Sequence, residues 1–252
     1  MSGEKVGLFT KCKRFKLSPP PAEVIVLDAS SFPKTFIREM APKIKEHYVA
    51  ENILKKWGFN KIAAYIALKV PDTKTGKSGD LGEILATEYI KSGTLPYEVP
   101  INRLKWKDSR DLPMRGEDVI GFIFNEKPLR FLKAEAKSRK KLSRDVVAEA
   151  RAALEKNSGL PLPYTLSFIM ERLFESEQDN KAEQIEEYLN NILPKRSQVA
   201  HLIFTFSGND PSGLLEEDAK QAKKTFIHYS VGLRANQHQE LIEAVFRKAT
   251  NG

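Results

Sequence analysis

The chain has 252 residues, 41% hydrophobic and 29% charged, enough for one large core or two smaller ones and too apolar for wholesale disorder. Its 41 Lys and Arg against 33 Asp and Glu leave a net charge of +8, which favours polyanionic partners such as nucleic acid. Cys12, the single cysteine, excludes an internal disulfide framework. The scattered His47, His201, His228 and His238 lack zinc-ligand spacing, and no run nears the ~18 apolar residues of a membrane span. With no secretory apolar segment at residues 1–21, a cytoplasmic protein without membrane association is expected.

Residues 1–21 combine Lys and Arg with Pro19-Pro20-Pro21 and read as a basic arm. Residues 23–27 (EVIVL) predict a strand, and 36–57 a helix that Pro42 kinks or splits. Together these make an N-terminal lobe over residues 1–70. The turn-rich PDTKTGKSG (71–79) opens a second domain over 71–252 and leads into a helix, DLGEILATEYIKSG, with an apolar stripe of Leu81, Ile84, Leu85 and Tyr89. Residues 97–106 are partly extended. DVIGFIFN (118–125) and LRFLKAEAK (129–137) follow as a hairpin, then a helix over 143–156 with Ser143 placed to cap it. A further helical stretch spans about 165–193, rich in Glu and Gln and suited to docking a partner. Strands are expected at 201–206 and 225–233, and a closing helix at 237–249.

The hairpin carries the chemistry. If Glu126-Lys127 forms a two-residue turn, Asp118 stands opposite Glu135 with Cβ atoms roughly 5 Å apart. Asp118, Ile120, Phe122 and Phe124 then share a face with Leu129, Phe131, Lys133, Glu135 and Lys137, greasy near the turn and ionic at the open end. A one-residue slip at Pro128 would separate the two acids onto opposite faces. Paired carboxylates repel unless a proton or cation lies between them, and oxygen ligands suit Mg²⁺ or Mn²⁺. A lysine one pleat further on can hold the attacking water and counter charge on a phosphate, so the set points to phosphodiester hydrolysis. The spacing (D/E)-x-K also occurs at Asp72/Lys74 and Asp218/Lys220, but only Glu135/Lys137 lies on a strand paired to an upstream Asp. Behind it, SRKKLSR (138–144) sets Arg139, Lys140, Lys141 and Arg144 at a strand-to-helix turn suited to phosphate.

The succession GDLGE, GEDVIGF, KAEAKS and a helix resembles the PD-(D/E)xK nuclease core, with Glu117-Asp118 where that motif has Pro-Asp. Through GDLGEILATEY and FLKAEAKSRKKLS it resembles more closely the HamA nuclease subunits of Hachiman anti-phage systems, well over 75–157 and loosely elsewhere. The resemblance implies a restriction-endonuclease-like α/β fold, a mixed sheet flanked by helices. It implies Asp118 and Glu135 as metal ligands, Lys137 as catalytic lysine, Glu83 as the helix carboxylate completing the site, DNA as substrate and a HamB-like helicase as partner. Periodicity on its own nominates Glu88 rather than Glu83 as the buried acid of that helix, while Gly79 and Gly82 leave room for its start to approach the strands. An RNase using the same site, and a non-catalytic nucleic-acid-binding or assembly subunit, remain the alternatives.

Overall fold

The computed structural model describes residues 7–18, 22–191 and 195–251, so the Pro19–Pro21 run lies outside the described residues. In chain order come α1 (Gly7–Lys11), β1 (Lys13–Ser18), β2 (Ala22–Asp28), α2 (Pro33–Tyr48), α3 (Glu51–Lys56), α4 (Phe59–Lys69) and α5 (Lys74–Tyr89). After a 3₁₀ turn at Arg103–Trp106 follow β3 (Val119–Ile123), β4 (Arg130–Arg139), α6 (Arg144–Glu155), α7 (Pro163–Glu175) and α8 (Asp179–Asn191). The chain then adds β5 (Val199–Ser207), α9 (Ser212–Gln221), β6 (Ile227–Arg234) and α10 (His238–Asn251). The strands form one six-stranded mixed sheet in the order β1-β2-β6-β5-β4-β3. Its four inner strands run parallel, and β1 and β3 close the two edges antiparallel. The fold class is the one expected from the sequence.

Residues 13–18, expected in a basic arm, are instead the edge strand β1. Lys13, Arg14 and Lys16 are exposed there, where charge discourages pairing with another chain, and Lys16 meets Glu23 at 3.1 Å. Pro42 does not split its helix, since α2 runs through it and ends where Val49 turns extended. The expected helix over 165–193 is two, α7 and α8, divided where Glu177 takes a φ of 58°. β5 is buried along its whole length, as an apolar strand between two parallel neighbours must be. Among the described residues no helix is long and apolar enough to cross a membrane.

Alternation along β4 sorts its side chains between two cores. Leu132 and Ala134 join the face covered by α2, α5 and α10, through Phe36, Ile44, Leu81, Ile84, Leu85 and Val245. Phe131 joins Ile120 and Phe122 of β3 beneath α7 and α8. Helix α5 lies close on β4. A Cβ placed on Gly82 would stand 3.2 Å from Ser138 Cβ, and Ser78 Oγ lies 2.8 Å from Ser138 Oγ, which in turn contacts His238 Nε2 at 3.0 Å. Gly79, expected to share that role, faces open space.

Gly82→Val should therefore push α5 off β4 and lower stability by about 1–3 kcal/mol in urea denaturation. Gly79→Ala at the exposed position should raise it by up to about 1 kcal/mol through helix propensity. Equal effects of the two would contradict the close α5–β4 approach.

Candidate active site

Pairing in the hairpin runs from Val119 opposite Ala134 to Ile123 opposite Arg130, the register expected from the sequence. The turn is longer than two residues because pairing stops at Ile123, and Pro128 has no N–H to add to the ladder. One step beyond Val119–Ala134 in that register, Asp118 stands against Glu135. β4 has ten residues and β3 only five, so β4 runs on past its neighbour. Asp118 sits at the step, where its Oδ2 accepts the Ala136 N–H at 2.8 Å. Lys137 Nζ contacts Glu135 Oε1 at 2.8 Å, both side chains being largely buried.

Glu83 reaches the same region from α5. Burial raises its carboxyl to about 8, and the negative charges of Asp118 and Asp80 add to this against Arg103 and Lys107. Burial also raises Asp118, in spite of the Ala136 N–H and the charges of Arg103 and Lys137. Glu135 is raised to about 7 by burial first and then by Asp118, with Lys137 opposing. Asp118 thus acts on both Glu83 from α5 and Glu135 on β4, and Lys137 acts on Asp118 and Glu135.

Glu88, the acid that periodicity nominates, is also buried but belongs elsewhere. It contacts His47 Nε2 at 2.9 Å and Lys43 at 3.5 Å. Burial works against its charge, but the His47 hydrogen bond and the charges of Lys91 and Lys43 hold it down to about 2. Burial keeps His47 itself neutral, its pKa lowered to about 4, so its Nε2–H donates to the carboxylate. Two glutamates five positions apart are driven in opposite directions by their partners.

Several contributors escaped sequence reasoning. Asp80, three residues before Glu83, accepts Lys107 Nζ at 2.9 and 2.7 Å and the Tyr48 hydroxyl, all buried. Arg103 is buried, donates to the Arg115 carbonyl at 2.7 Å and lowers the carboxyls of both Glu83 and Asp118. Glu117, at the motif's proline position, accepts the Leu162 N–H at 2.8 Å at the start of α7 and meets Lys133 at 3.5 Å. These contacts join different elements of the fold or involve backbone groups, so no periodicity could reveal them. In the basic turn Lys140, Lys141 and Arg144 are exposed and Arg139 is half-buried. Arg144 pairs with Glu217 at 2.8 Å, Arg139 donates to the Ser138 carbonyl at 2.9 Å, and Ser143 occupies the N-cap of α6 without a side-chain bond.

The HamA family model matches residues 21–249, nearly the whole chain. The chain belongs to the HamA family. It is 28% identical over 183 residues to the Hachiman protein HamA of Bacillus cereus, a match covering 73% of this chain and 65% of that relative. The aligned stretch therefore spans just under two thirds of the relative's length. In this HamA-family chain no group of three His, Cys, Asp or Glu side chains among the described residues is arranged to hold a metal. The Asp118–Glu135 pair nevertheless fits a hard divalent cation. Both carboxyls are oxygen donors raised by burial, and Asp118 raises Glu135 further. Mg²⁺ is commonly held by one or two carboxylates, its other positions filled by water and substrate oxygens.

In metal-free protein these acids should make stability fall with rising pH. Glu135 and Glu83 hold protons in the folded state up to about 7 and about 8, against the ordinary 4.5. Folded protein then binds more protons than unfolded between those limits, so this stability is fully present below about 4.5 and lost as pH climbs through 7 to 8. Denaturation in EDTA across pH 5 to 9 should show the decline, with Glu83→Gln flattening its upper part. An unchanged slope in that variant would contradict the burial of a titrating Glu83.

Proposed function

We propose that the chain is a divalent-metal-dependent nuclease of the PD-(D/E)xK type that cleaves DNA. The observation that carries this reading is the hairpin register, which one step past Val119–Ala134 sets Asp118 against Glu135, with Lys137 in contact with Glu135 at 2.8 Å. Asp118 and Glu135 would hold the ion, Mg²⁺ or Mn²⁺, which when bound supplies Lewis-acid stabilisation of phosphate charge and a more acidic water. Lys137 orients the attacking water and counters the charge growing on the phosphate. Glu83 completes the carboxylate set from α5, and Asp118 keeps the end of β4 in place through the Ala136 N–H. Arg139, Lys140, Lys141 and Arg144 supply phosphate contacts along the DNA.

The name of the Bacillus cereus relative supports a place in a Hachiman system, which we read as antiviral defence in the cytoplasm. The resemblance to HamA nuclease subunits supports a HamB-like helicase as the partner that restrains cutting until foreign or damaged DNA is sensed. Incubating purified protein with DNA or RNA in Mg²⁺ or EDTA, with and without that partner, tests the reading. Metal-dependent cleavage of RNA alone would move the substrate to RNA, and cleavage of neither in any combination would leave a non-catalytic subunit.

Glu135→Gln and Lys137→Met should each lower cleavage at least about a hundredfold. Both variants should still unfold cooperatively, because each keeps the size of the side chain it replaces, although parting the Glu135–Lys137 pair lowers the thermal midpoint. If both variants cut at the parent rate, the site is elsewhere. Asp118→Asn should weaken Mn²⁺ binding, and equal affinity in parent and variant would remove it from the ligands.

Replacing Arg139, Lys140, Lys141 and Arg144 together with Gln should flatten the fall of duplex affinity with salt by roughly 0.9 log units for each phosphate no longer neutralised. Metal affinity should be retained. An unchanged salt slope would take the DNA track off this turn.

A further inference from the structure

The 3₁₀ turn Arg103–Trp106, the following loop to Arg115 and the start of α7 line an open cavity of about 660 Å³. Tyr164, Phe168 and Arg172 line it from α7 at i, i+4 and i+8, which puts them on one stripe of the helix. Trp106 meets Phe168 edge-on with ring centroids 6.0 Å apart, and the Arg172 guanidinium lies 5.8 Å from the Trp106 ring and 5.5 Å from Phe168. Tyr164 is 64% exposed, so its ring is open to a ligand. Arg103 lines the same cavity at 6% exposure, and its Nε has no hydrogen-bond partner among the described residues. A buried donor left unpaired is costly unless something fills the site.

From this arrangement we infer that the cavity receives a single-stranded segment of nucleic acid flanking the scissile phosphate, with a phosphate on Arg103 and bases against Tyr164 and Trp106. The inference rests on the nuclease reading and deepens it by naming the strand form of the substrate. Aromatic faces interleaved with cations are what single strands use, because every base offers a π-face whatever its identity. The volume lies within the roughly 300–1,000 Å³ of small-ligand sites, room for one or two nucleotides. Lys107, which also lines the cavity, links it to the acids by donating to Asp80 at 2.9 and 2.7 Å, one turn before Glu83 on α5. Glu117 accepts the Leu162 N–H at 2.8 Å, two residues before Tyr164 on α7.

Fluorescence anisotropy on the full chain carrying Glu135→Gln, so that the probe survives, tests the site by binding rather than cleavage. The probes are a short labelled oligothymidylate and the same sugar–phosphate backbone with abasic residues. Parent protein should bind oligothymidylate more tightly than the abasic strand. Tyr164→Ala should weaken oligothymidylate binding about tenfold, within the range of base stacking, and stay within about twofold toward the abasic strand. Arg103→Gln should weaken both. Tyr164→Ala lies at an exposed position and keeps the test valid should Arg103→Gln fail to fold. Equal binding of the two probes by the parent, no effect of Tyr164→Ala, or displacement of the probe by polyglutamate as readily as by unlabelled oligothymidylate would each overturn the inference. Because no probe is cut, such a failure leaves the metal-dependent cleavage test standing separately.

Discussion

The constraint on which this molecule turns is the confinement of Asp118 and Glu135 on facing positions at the end of a hairpin packed on both faces by apolar residues. Each carboxylate loses hydration, and the charge of Asp118 raises Glu135 further. The hydrophobic register leaves them no escape. Ile120, Phe122 and Phe131 are committed to one core and Val119, Leu132 and Ala134 to the other, so a slip by one residue would turn both sets out of their cores. Apolar packing in the greasy half of the hairpin thereby holds together two charges that would separate in water. The burial that penalises them is what makes a cation or a proton between them favourable.

The surrounding elements hold that arrangement through specific contacts. Ser78, Ser138 and His238 join α5, β4 and α10 just beyond Lys137, and Gly82 lets α5 come near enough for Glu83 to feel Asp118. Asp80 and Lys107 form a buried pair beside it, with Tyr48 on the same carboxylate. Buried pairs of this kind contribute little net stability, yet removing one member leaves the other uncompensated at about 3–5 kcal/mol. Their service is to place charge. Glu83 and Glu88 illustrate the result, since one helix presents an acid raised to about 8 toward the hairpin and another lowered to about 2 toward His47 and its lysines.

The hairpin was legible in the sequence because its signal is local. Alternation fixes which residues share a face, and a nearly symmetric pair of strands around a short turn fixes which oppose, so the register could be counted even though the turn itself is longer. The burial of β5 and the stripe of α5 were legible for the same reason. The fate of the basic residues 13–16 was not, because the composition of an exposed arm and that of a charged edge strand are alike and only the neighbouring strand distinguishes them. Pro42 does not split its helix, because the apolar face formed by Phe36, Met40 and Ile44 carries α2 through it, and the break within 36–57 falls at Val49 instead. Glu83 could not be chosen over Glu88 from periodicity, since the wheel reports which side is buried and not which partners wait there. Arg103, Asp80 and Lys107 were invisible, being brought together only by the tertiary fold.

The central claim is that Asp118 and Glu135 together hold a divalent cation at the end of β4. Paramagnetic line broadening by substoichiometric Mn²⁺ on an isotopically labelled chain tests this most directly, because the effect falls steeply with distance from the ion. The account predicts that amide signals of Asp118, Glu135, Ala136 and Lys137 broaden first, with Glu83 close behind, and that excess Mg²⁺ restores them. Broadening centred instead on Glu88 and its lysines, or spread over surface acids with no focus at the hairpin, would contradict it.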